Sequence, residues 1–484
     1  MQIAPILRAL GLLLLCLAGA MGFPVLIAFV MGGPETFPLF LSLICTAGAG
    51  LLGFLASRRR IDIGPREGFV IVTAGWILFS AFGALPFYLA GMLPTYTDAY
   101  FEAMSGFTTT GATVLTDIEG QPLALHFWRS FMQWLGGMGI IVLSLAILPM
   151  LGVGGMQLYK AEVPGPVPDR LVPRIRQTAR LLWGLYLLLS VIEIALLALL
   201  GMPFIEAVLH TFTTMSTGGF SPKAASIGAY HSAAIDTVLI LFMFLAGANF
   251  ALHFQALRGN FRIYRNPEFR FYSVSVVIIV AGMTLVLWGS VYPDLSSALR
   301  YGAFQVVSIV TTTGYATADY GIWPFFAQFL LLGLMFLGGC AGSTGGAIKH
   351  IRGLLLFKVA YDHLYKLVHP KAVRHVKIGG RVVSKEVADG VQVFFLLYLL
   401  TFVVATAALT LFDLDLVTAI GAVAATLGNV GPGLGGVGPI ESYAAVHPLG
   451  KWILSACMVL GRLELFTVFV LFTPDLWRSL VWRR

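Results

Sequence analysis

Charge is what this sequence has least of. Asp, Glu, Lys and Arg make up 11% of its 484 residues, while 58% are hydrophobic; a soluble domain carries roughly a quarter charged residues. A water-soluble globular fold is excluded on that ground. Cysteine is scarce too. Cys16, Cys45, Cys340 and Cys457 each lie inside an apolar segment, and none stands at metal-ligand spacing from another, so neither a disulfide framework nor a zinc site is expected. The nine histidines are scattered, without an HExxH or similar cluster. No nucleophile–base or metal constellation is visible, so the chain is read as not an enzyme and as carrying no organic cofactor.

Long apolar runs are what it has in abundance. Residues 9–30, 38–56, 181–201, 391–411 and 452–472 are each long enough to cross ~30 Å of hydrocarbon as helix. The first run resembles a signal peptide, with Arg8 before it and Ala18-Gly19-Ala20 within it. It continues unbroken to Val30, however, and is read as a retained transmembrane helix. Glycine is in excess, with 54 residues; that points to closely packed helices or to backbone that leaves the helix inside the membrane.

Two helices followed by four helix pairs give ten spans. The loops 57–67, 155–180, 258–270, 349–390 and 474–484 then share one side with the N-terminus. Together with Arg8 they hold every Lys and Arg except Arg129, Lys223, Arg300 and Lys451, which fall opposite, and Arg462, which lies within a span. The basic side is cytoplasmic by the positive-inside rule, which places both termini inside. Glu35, Asp98, Glu102, Asp117, Glu119, Glu206, Asp236, Asp294, Asp319, Asp413, Asp415 and Glu441 fall outside. The formal charge of +8 therefore reflects topology and not nucleic-acid binding, and an acidic outer mouth would concentrate cations.

Between the helices of each pair lies a segment too polar to span and too apolar for an ordinary loop. The first runs from Ala99 into Thr108-Thr109-Thr110-Gly111, the second from Glu206 into Met215-Ser216-Thr217-Gly218. The third runs from Ala298 into Thr311-Thr312-Thr313-Gly314, the fourth from Leu416 into Leu427-Gly428-Asn429-Val430-Gly431. Aligning Gly111, Gly218, Gly314 and Gly431 reveals a fourfold repeat of about 100 residues. Each unit reads as span, short helix, polar stretch, span. Such a re-entrant loop is tolerated at membrane depth where it is buried in protein or lines a wet cavity. Four short helices with their C-terminal ends on one axis place partial negative charge there, and the following backbone carbonyls can replace the water around a dehydrated potassium ion. A single TTTG phrase is more often packing than filter; four in matching positions favour an ion pore. The expected fold is an all-α membrane protein of ten transmembrane helices, eight of them forming four pseudo-repeated helix–pore loop–helix units around one central pore. The boundaries are 1–57 for the N-terminal pair and 67–155, 176–258, 270–360 and 386–474 for the repeats.

At TTTGAT (108–113), MSTGGFSP (215–222), TTTGYAT (311–317) and TLGNVGPG (426–433) the chain resembles the Trk/Ktr/HKT superfamily of potassium transporters. The two extra N-terminal spans look like its bacterial Trk branch. The resemblance implies a potassium filter made of Thr109, Thr110 and Gly111; Ser216, Thr217 and Gly218; Thr312, Thr313 and Gly314; and Asn429, Val430 and Gly431. Glycine at 111, where sodium-preferring plant members often carry serine, favours potassium. Only the third loop has Tyr after its glycine, and the fourth uses Asn-Val, so the ring is asymmetric and its strictness against sodium stays open.

The span after the third loop is interrupted at Phe336-Leu337-Gly338-Gly339-Cys340-Ala341-Gly342-Ser343-Thr344-Gly345-Gly346. Its spacing does not fit a phosphate-binding G-x-x-x-x-G-K-[ST], and no strand precedes it. A non-helical segment below the filter is the better reading, and the resemblance implies a pore-obstructing gate at Gly338, Gly339, Gly342, Ser343, Thr344, Gly345 and Gly346. Arg462 stands mid-span beside Glu464. It is either one half of a local ion pair or, as the resemblance implies, a cationic barrier below the filter. Glu193, also mid-span, either packs against a neighbour or serves a proton-linked step. The resemblance further implies potassium as substrate, a homodimer in membrane lipid, and a cytoplasmic TrkA-like nucleotide-binding regulatory ring. The basic loop 349–385, with Lys358, Lys366, Lys371, Arg374, Lys377 and Arg381, is read as that ring's docking surface or as ordinary positive-inside topology. The whole is expected in a bacterial inner membrane. A sodium-permeable or poorly selective cation channel, and a secondary transporter coupled to protons or sodium, remain as alternatives.

Overall fold

Lipid forces backbone polar groups to pair within the chain, and this chain answers with helix almost throughout. The computed structural model describes residues 3–56, 64–146 and 171–476. The basic stretches 57–63, 155–170 and 477–484, which carry part of the expected orientation, lie outside the described residues, as does the end of the expected first repeat. Among the described residues, six helices are long and apolar enough to cross a membrane: Ile3–Met31, Thr36–Leu55, Arg66–Leu89, Thr178–Leu199, Pro267–Leu287 and Lys385–Thr410. Two more candidates are bent pairs. Ala233–Ala246 meets Phe250–Leu257 at 102°, and Pro448–Arg462 meets Phe466–Phe472 at 108°. Further helices among the described residues are the 24-residue Leu123–Ala146 and the short apolar Phe325–Leu334.

Glycine explains how the first two helices pack. A Cβ on Gly11 would lie 2.6 Å from Gly50 O, and one on Gly50 would lie 2.9 Å from Leu15 N. The two backbones touch, as small residues at a membrane helix interface allow.

Four shorter helices are enclosed by the long ones: Tyr96–Phe107, Phe204–Met215, Leu295–Val310 and Leu416–Leu427. They are called the first to fourth pore helices below, after the helix–pore loop–helix units that the sequence leads one to expect. From Ala99 to Phe107 every residue of the first is buried. Side chains cap three of the four outer ends. Thr95 accepts from Asp98 N, Asp294 from Ser297 N and Asp415 from Val417 N and Thr418 N, while the second helix starts at Pro203 without a side-chain cap. The Ser296 hydroxyl and Ser297 amide hold the Asp294 carboxyl down to about 2, and Thr418 lowers that of Asp415. Anions at these ends complement the helix dipoles, whose negative ends lie inward.

Two sequence expectations change here. The run 452–472 is not one unbroken helix. It breaks after Arg462, with Glu464 and Leu465 at positive φ (57° and 49°). Both halves are apolar, so hydropathy could not register the bend. The stretch 349–385 is not a loop either: it forms the 19-residue helix His350–Val368 and then a small hairpin pairing Lys377–Ile378 with Arg381–Val382.

The close helix contact yields a prediction. Gly11→Leu drives a side chain into the second helix and should cost about 1–3 kcal/mol through overpacking. Gly19→Leu, whose Cβ would meet nothing within 4 Å, should leave stability nearly unchanged. Thermal melting of the intact chain in detergent checks both.

Candidate functional site

Each pore helix ends in the same backbone figure. Thr109, Thr217, Thr312 and Asn429 all have positive φ (52°, 54°, 60° and 52°), uncommon for any residue with a Cβ and more so for the branched threonines. One residue later the chain bonds back five positions: Thr110 N to Ser105 O, Gly218 N to Thr213 O, Thr313 N to Ser308 O and Val430 N to Ala425 O, at 2.7–2.8 Å. A glycine at positive φ follows in each loop: Gly111 (85°), Gly219 (75°), Gly314 (81°) and Gly431 (103°).

The second loop therefore corrects the sequence alignment by one residue. Gly219, not Gly218, is the counterpart of Gly111, and Thr217-Gly218-Gly219 match Thr109-Thr110-Gly111. Ser216 is the counterpart of Thr108, the residue closing the helix. The physical reason is that two adjacent glycines follow Thr217, and only the second adopts the left-handed turn.

These glycines close a ring. A Cβ on Gly111 would meet Gly218 O, one on Gly219 would meet Thr313 O, one on Gly314 would meet Val430 O, and one on Gly431 would lie 2.6 Å from Thr110 O. Loops one, two, three and four thus touch head to tail, each glycine against the carbonyl of the residue that precedes the next loop's glycine. A cavity of about 300 Å³ opens on one side of the ring; Gly111, Gly219, Gly314 and Gly431 all line it, with Arg129, Lys223, Glu441 and Tyr443.

Different chemistry seals each junction. Between loops one and two, Gln133 Nε2 donates to Gly218 O (2.7 Å) and Phe220 N donates to Gln133 Oε1 (3.1 Å). Arg129 Nε donates to Glu102 Oε1 (2.7 Å) and its Nη1 to Ser221 O (3.2 Å), while Glu102 Oε2 also accepts from Val114 N (3.0 Å). Between two and three, Tyr315 OH donates to His210 O (2.8 Å) and Gly228 N to Ala316 O (3.1 Å). Between three and four, Tyr320 OH donates to Gly433 O (3.1 Å). Between four and one, Tyr443 bridges Gly431 O through its hydroxyl and Thr113 O through its amide, both at 2.8 Å, and Asn429 Nδ2 donates to Thr110 Oγ1 (3.0 Å).

Every base placed on the outer side has an acid partner there: Arg129 with Glu102, Lys223 with Glu206, Arg300 with Asp236 and Lys451 with Asp98. The sequence places Glu102 and Arg129 on the outer side without pairing them; both are buried (0% and 2% exposed) behind the first loop. The only signal for them was their place next to the TTTG phrase.

On the other side of the ring lies the interrupted segment. Phe325–Leu334 gives way to a two-residue strand, Leu337–Gly338, paired in parallel with Ile348–Lys349. The turn between them sits against the pore-helix ends. Thr344 Oγ1 donates to Met215 O (3.1 Å), Gly346 N to Thr312 Oγ1 (2.7 Å), and a Cβ on Gly346 would meet Gly428 O. Gly339 and Gly342 face the break in the preceding bent pair: Cys340 N donates to Gly247 O (2.8 Å) and Phe250 N to Gly342 O (3.1 Å). The Ser343 hydroxyl donates to Cys340 O (2.7 Å), and Lys349 Nζ contacts Gly345 O. Arg462 Nη1 donates to Thr344 O (2.7 Å) and Nη2 to Gly136 O (3.2 Å). Its neighbour Glu464 pairs with Arg352 instead, so among the described residues Arg462 is not half of a local ion pair. The sequence reading missed Gly247, Asn249 and Glu268. Asn249 caps Phe250–Leu257, and Glu268 accepts from Ala341 N (2.7 Å) and Ile351 N (3.3 Å) at the two ends of the turn. A Gly-Ala-Asn triplet in an apolar run was the available sign. Glu193 is fully buried in Leu171–Leu199.

A helical membrane protein with four short enclosed helices, whose ends meet in one backbone ring, belongs to the class of membrane transport proteins. Within that class the chain belongs to the TrkH family, described as cation transport proteins, which it matches over residues 39–479. It is 44% identical to the Trk system potassium uptake protein TrkH of Salmonella typhimurium, an alignment covering 99% of this chain and all of that one. It is 36% identical to TrkG of Escherichia coli, over 94% of this chain and 95% of the other. The crystal structure of the potassium transporter TrkH from Vibrio parahaemolyticus superposes with a TM-score of 0.91, at 39% identity over 99% of this chain and all of that one.

The Glu102–Arg129 pair yields the second prediction. Arg129→Gln leaves a wholly buried carboxylate without its cation and should cost about 3–5 kcal/mol. Combining it with Glu102→Gln should recover part of the loss, as read by thermal melting of both variants.

Proposed function

We propose that this chain is a potassium uptake protein of a bacterial inner membrane, with ten spans, both termini cytoplasmic, and four repeats spanning 67–155, 176–258, 270–360 and 386–474. The observation that carries the proposal is the closed ring of four equivalent loops, each with its left-handed residue and its glycine against the next loop's carbonyl. The names of the relatives, potassium uptake proteins over their full length, supply the ion.

In this reading the filter is Thr109-Thr110-Gly111, Thr217-Gly218-Gly219, Thr312-Thr313-Gly314 and Asn429-Val430-Gly431. The inward helix ends add partial negative charge, and potassium is drawn down the inside-negative potential by ~2.3 kcal/mol per 100 mV. Sites must bind weakly enough to release. The turn at 338–346 closes the pathway, with Arg462 as its bolt: the guanidinium holds Thr344 O against the helix that backs the first loop. The helix His350–Val368 and the hairpin after it offer basic side chains to a TrkA-like cytoplasmic ring, and two chains associate as a homodimer. One observation favours a second reading, a less selective cation pore. The position held by Thr110 and Thr313 is Gly218 in the second loop and Val430 in the fourth, so two of the four loops lack a hydroxyl there.

Tracer potassium uptake into liposomes holding the purified chain, alone and with its regulatory ring, tests the proposal. Potassium and rubidium should compete strongly and sodium weakly; equal competition by sodium selects the less selective pore, and no uptake in either setting overturns transport. Arg462→Ala should raise uptake several-fold by freeing the turn, and unchanged uptake would remove Arg462 from the gate. Gly219→Ala, with its Cβ against Thr313 O, should lower potassium uptake at least tenfold while the protein remains monodisperse.

A further inference from the structure

Tyr315 directly follows Gly314, where the other three loops carry Ala112, Phe220 and Pro432, so it alone brings a hydroxyl to that position. Its side chain is fully buried and leaves its own repeat. It crosses to the second pore helix, where its hydroxyl donates to His210 O (2.8 Å), accepts from Thr214 Oγ1 (3.3 Å) and meets Thr213 Oγ1. Its backbone is also held, since Ser308 Oγ donates to Tyr315 O (2.7 Å). The residue is pinned at both ends, and each anchor is a hydrogen bond in a buried setting.

The chain of contacts continues outward. The His210 ring packs edge-on to Tyr315 (centroids 5.6 Å apart) and to Tyr230 (5.5 Å). Its Nε2 lies 3.1 Å from Tyr230 OH, which donates to Glu206 Oε2 (2.5 Å); Glu206 is paired with Lys223 (3.3 Å). The order of protons follows from this. Tyr230 gives its single proton to the carboxylate, so it accepts from His210 Nε2–H. A neutral imidazole protonated at Nε2 satisfies the whole series, from Lys223 at the outer face to the residue behind Gly314.

We propose that Tyr315 is a selectivity-determining positioning residue, and that the series Lys223–Glu206–Tyr230–His210 holds the helix segment on which it is anchored. The inference rests on the reading of the four loops as a potassium filter and deepens it. At two other junctions Gln133 and Tyr443, which lie outside the four phrases, bond loop carbonyls directly, at Gly218 O and Gly431 O. This one fixes the residue whose peptide bond carries the Gly314 carbonyl. A filter whose backbone carbonyls are kept from closing on the smaller ion favours potassium over sodium. An anchored Tyr315 keeps the third loop from closing, whereas Tyr315→Phe removes the hydroxyl that ties the loop to His210 O and the threonine hydroxyls and frees the loop to relax.

The test measures potassium, rubidium and sodium uptake in proteoliposomes for the full-length wild type, Tyr315→Phe and Thr213→Val. Thr213→Val removes the facing hydroxyl at nearly constant shape and keeps Tyr315 intact should the first variant fold poorly. Wild-type uptake with weak sodium competition establishes the underlying reading on its own; wild-type failure overturns that reading and not the anchor. Given a selective wild type, Tyr315→Phe should raise the sodium-to-potassium uptake ratio at least fivefold. Thr213→Val should shift it in the same direction by less, with potassium transport retained in both. A ratio unchanged in both, or potassium uptake that falls with the ratio intact, would show that Tyr315 is only a packing residue and overturn the proposal.

Discussion

The structure depends on one backbone constraint: four chain segments must pass so close around an axis that each meets the next with no room for a Cβ. Gly111, Gly219, Gly314 and Gly431 satisfy it, and the left-handed residue two positions before each lets the chain turn off its helix end in time. The rest of the molecule serves that contact. The pore helices deliver the loops, the long helices exclude lipid from their polar ends, and Tyr315, Tyr320, Tyr443, Gln133 and the Glu102–Arg129 pair hold each loop to its neighbour.

The four units share a backbone and differ in their fastenings. One junction uses a buried ion pair with Gln133, one Tyr315 with a backbone bond from Gly228, one the Tyr320 hydroxyl, and one a tyrosine together with an asparagine. Burying an ion pair is seldom a gain in stability over an apolar pair, so Glu102–Arg129 is better understood as a fixed strut: the carboxylate takes Val114 N and the guanidinium takes Ser221 O, one from each loop. Below the ring the turn at 338–346 reaches the ends of the second, third and fourth pore helices, and Arg462 extends that contact to Gly136 behind the first.

Much of this was legible in the residues. The pore helices announce themselves as short amphipathic segments before a repeated Thr-rich phrase, and the glycine run at 338–346 marks a helix break because no apolar helix of that composition holds together. What sequence could not supply followed physical rules invisible to composition. Adjacent Gly218 and Gly219 left the register of the second loop undetermined, because only the fold decides which of two glycines takes positive φ. The bends at Gly247 and after Arg462 lie between apolar halves, so hydropathy runs through them. Charge places Glu102 and Arg129 on the outer side, but nothing in the chain states that the two meet 27 positions apart.

If the four loops together enclose one pathway for a monovalent cation, anomalous diffraction from crystals of the full chain grown with rubidium or thallium in place of potassium shows it. Anomalous peaks are expected on the axis enclosed by Thr109–Gly111, Thr217–Gly219, Thr312–Gly314 and Asn429–Gly431, lost when sodium replaces the heavier ion. Heavy-ion peaks confined to the outer acidic face, with none inside the ring, would contradict it.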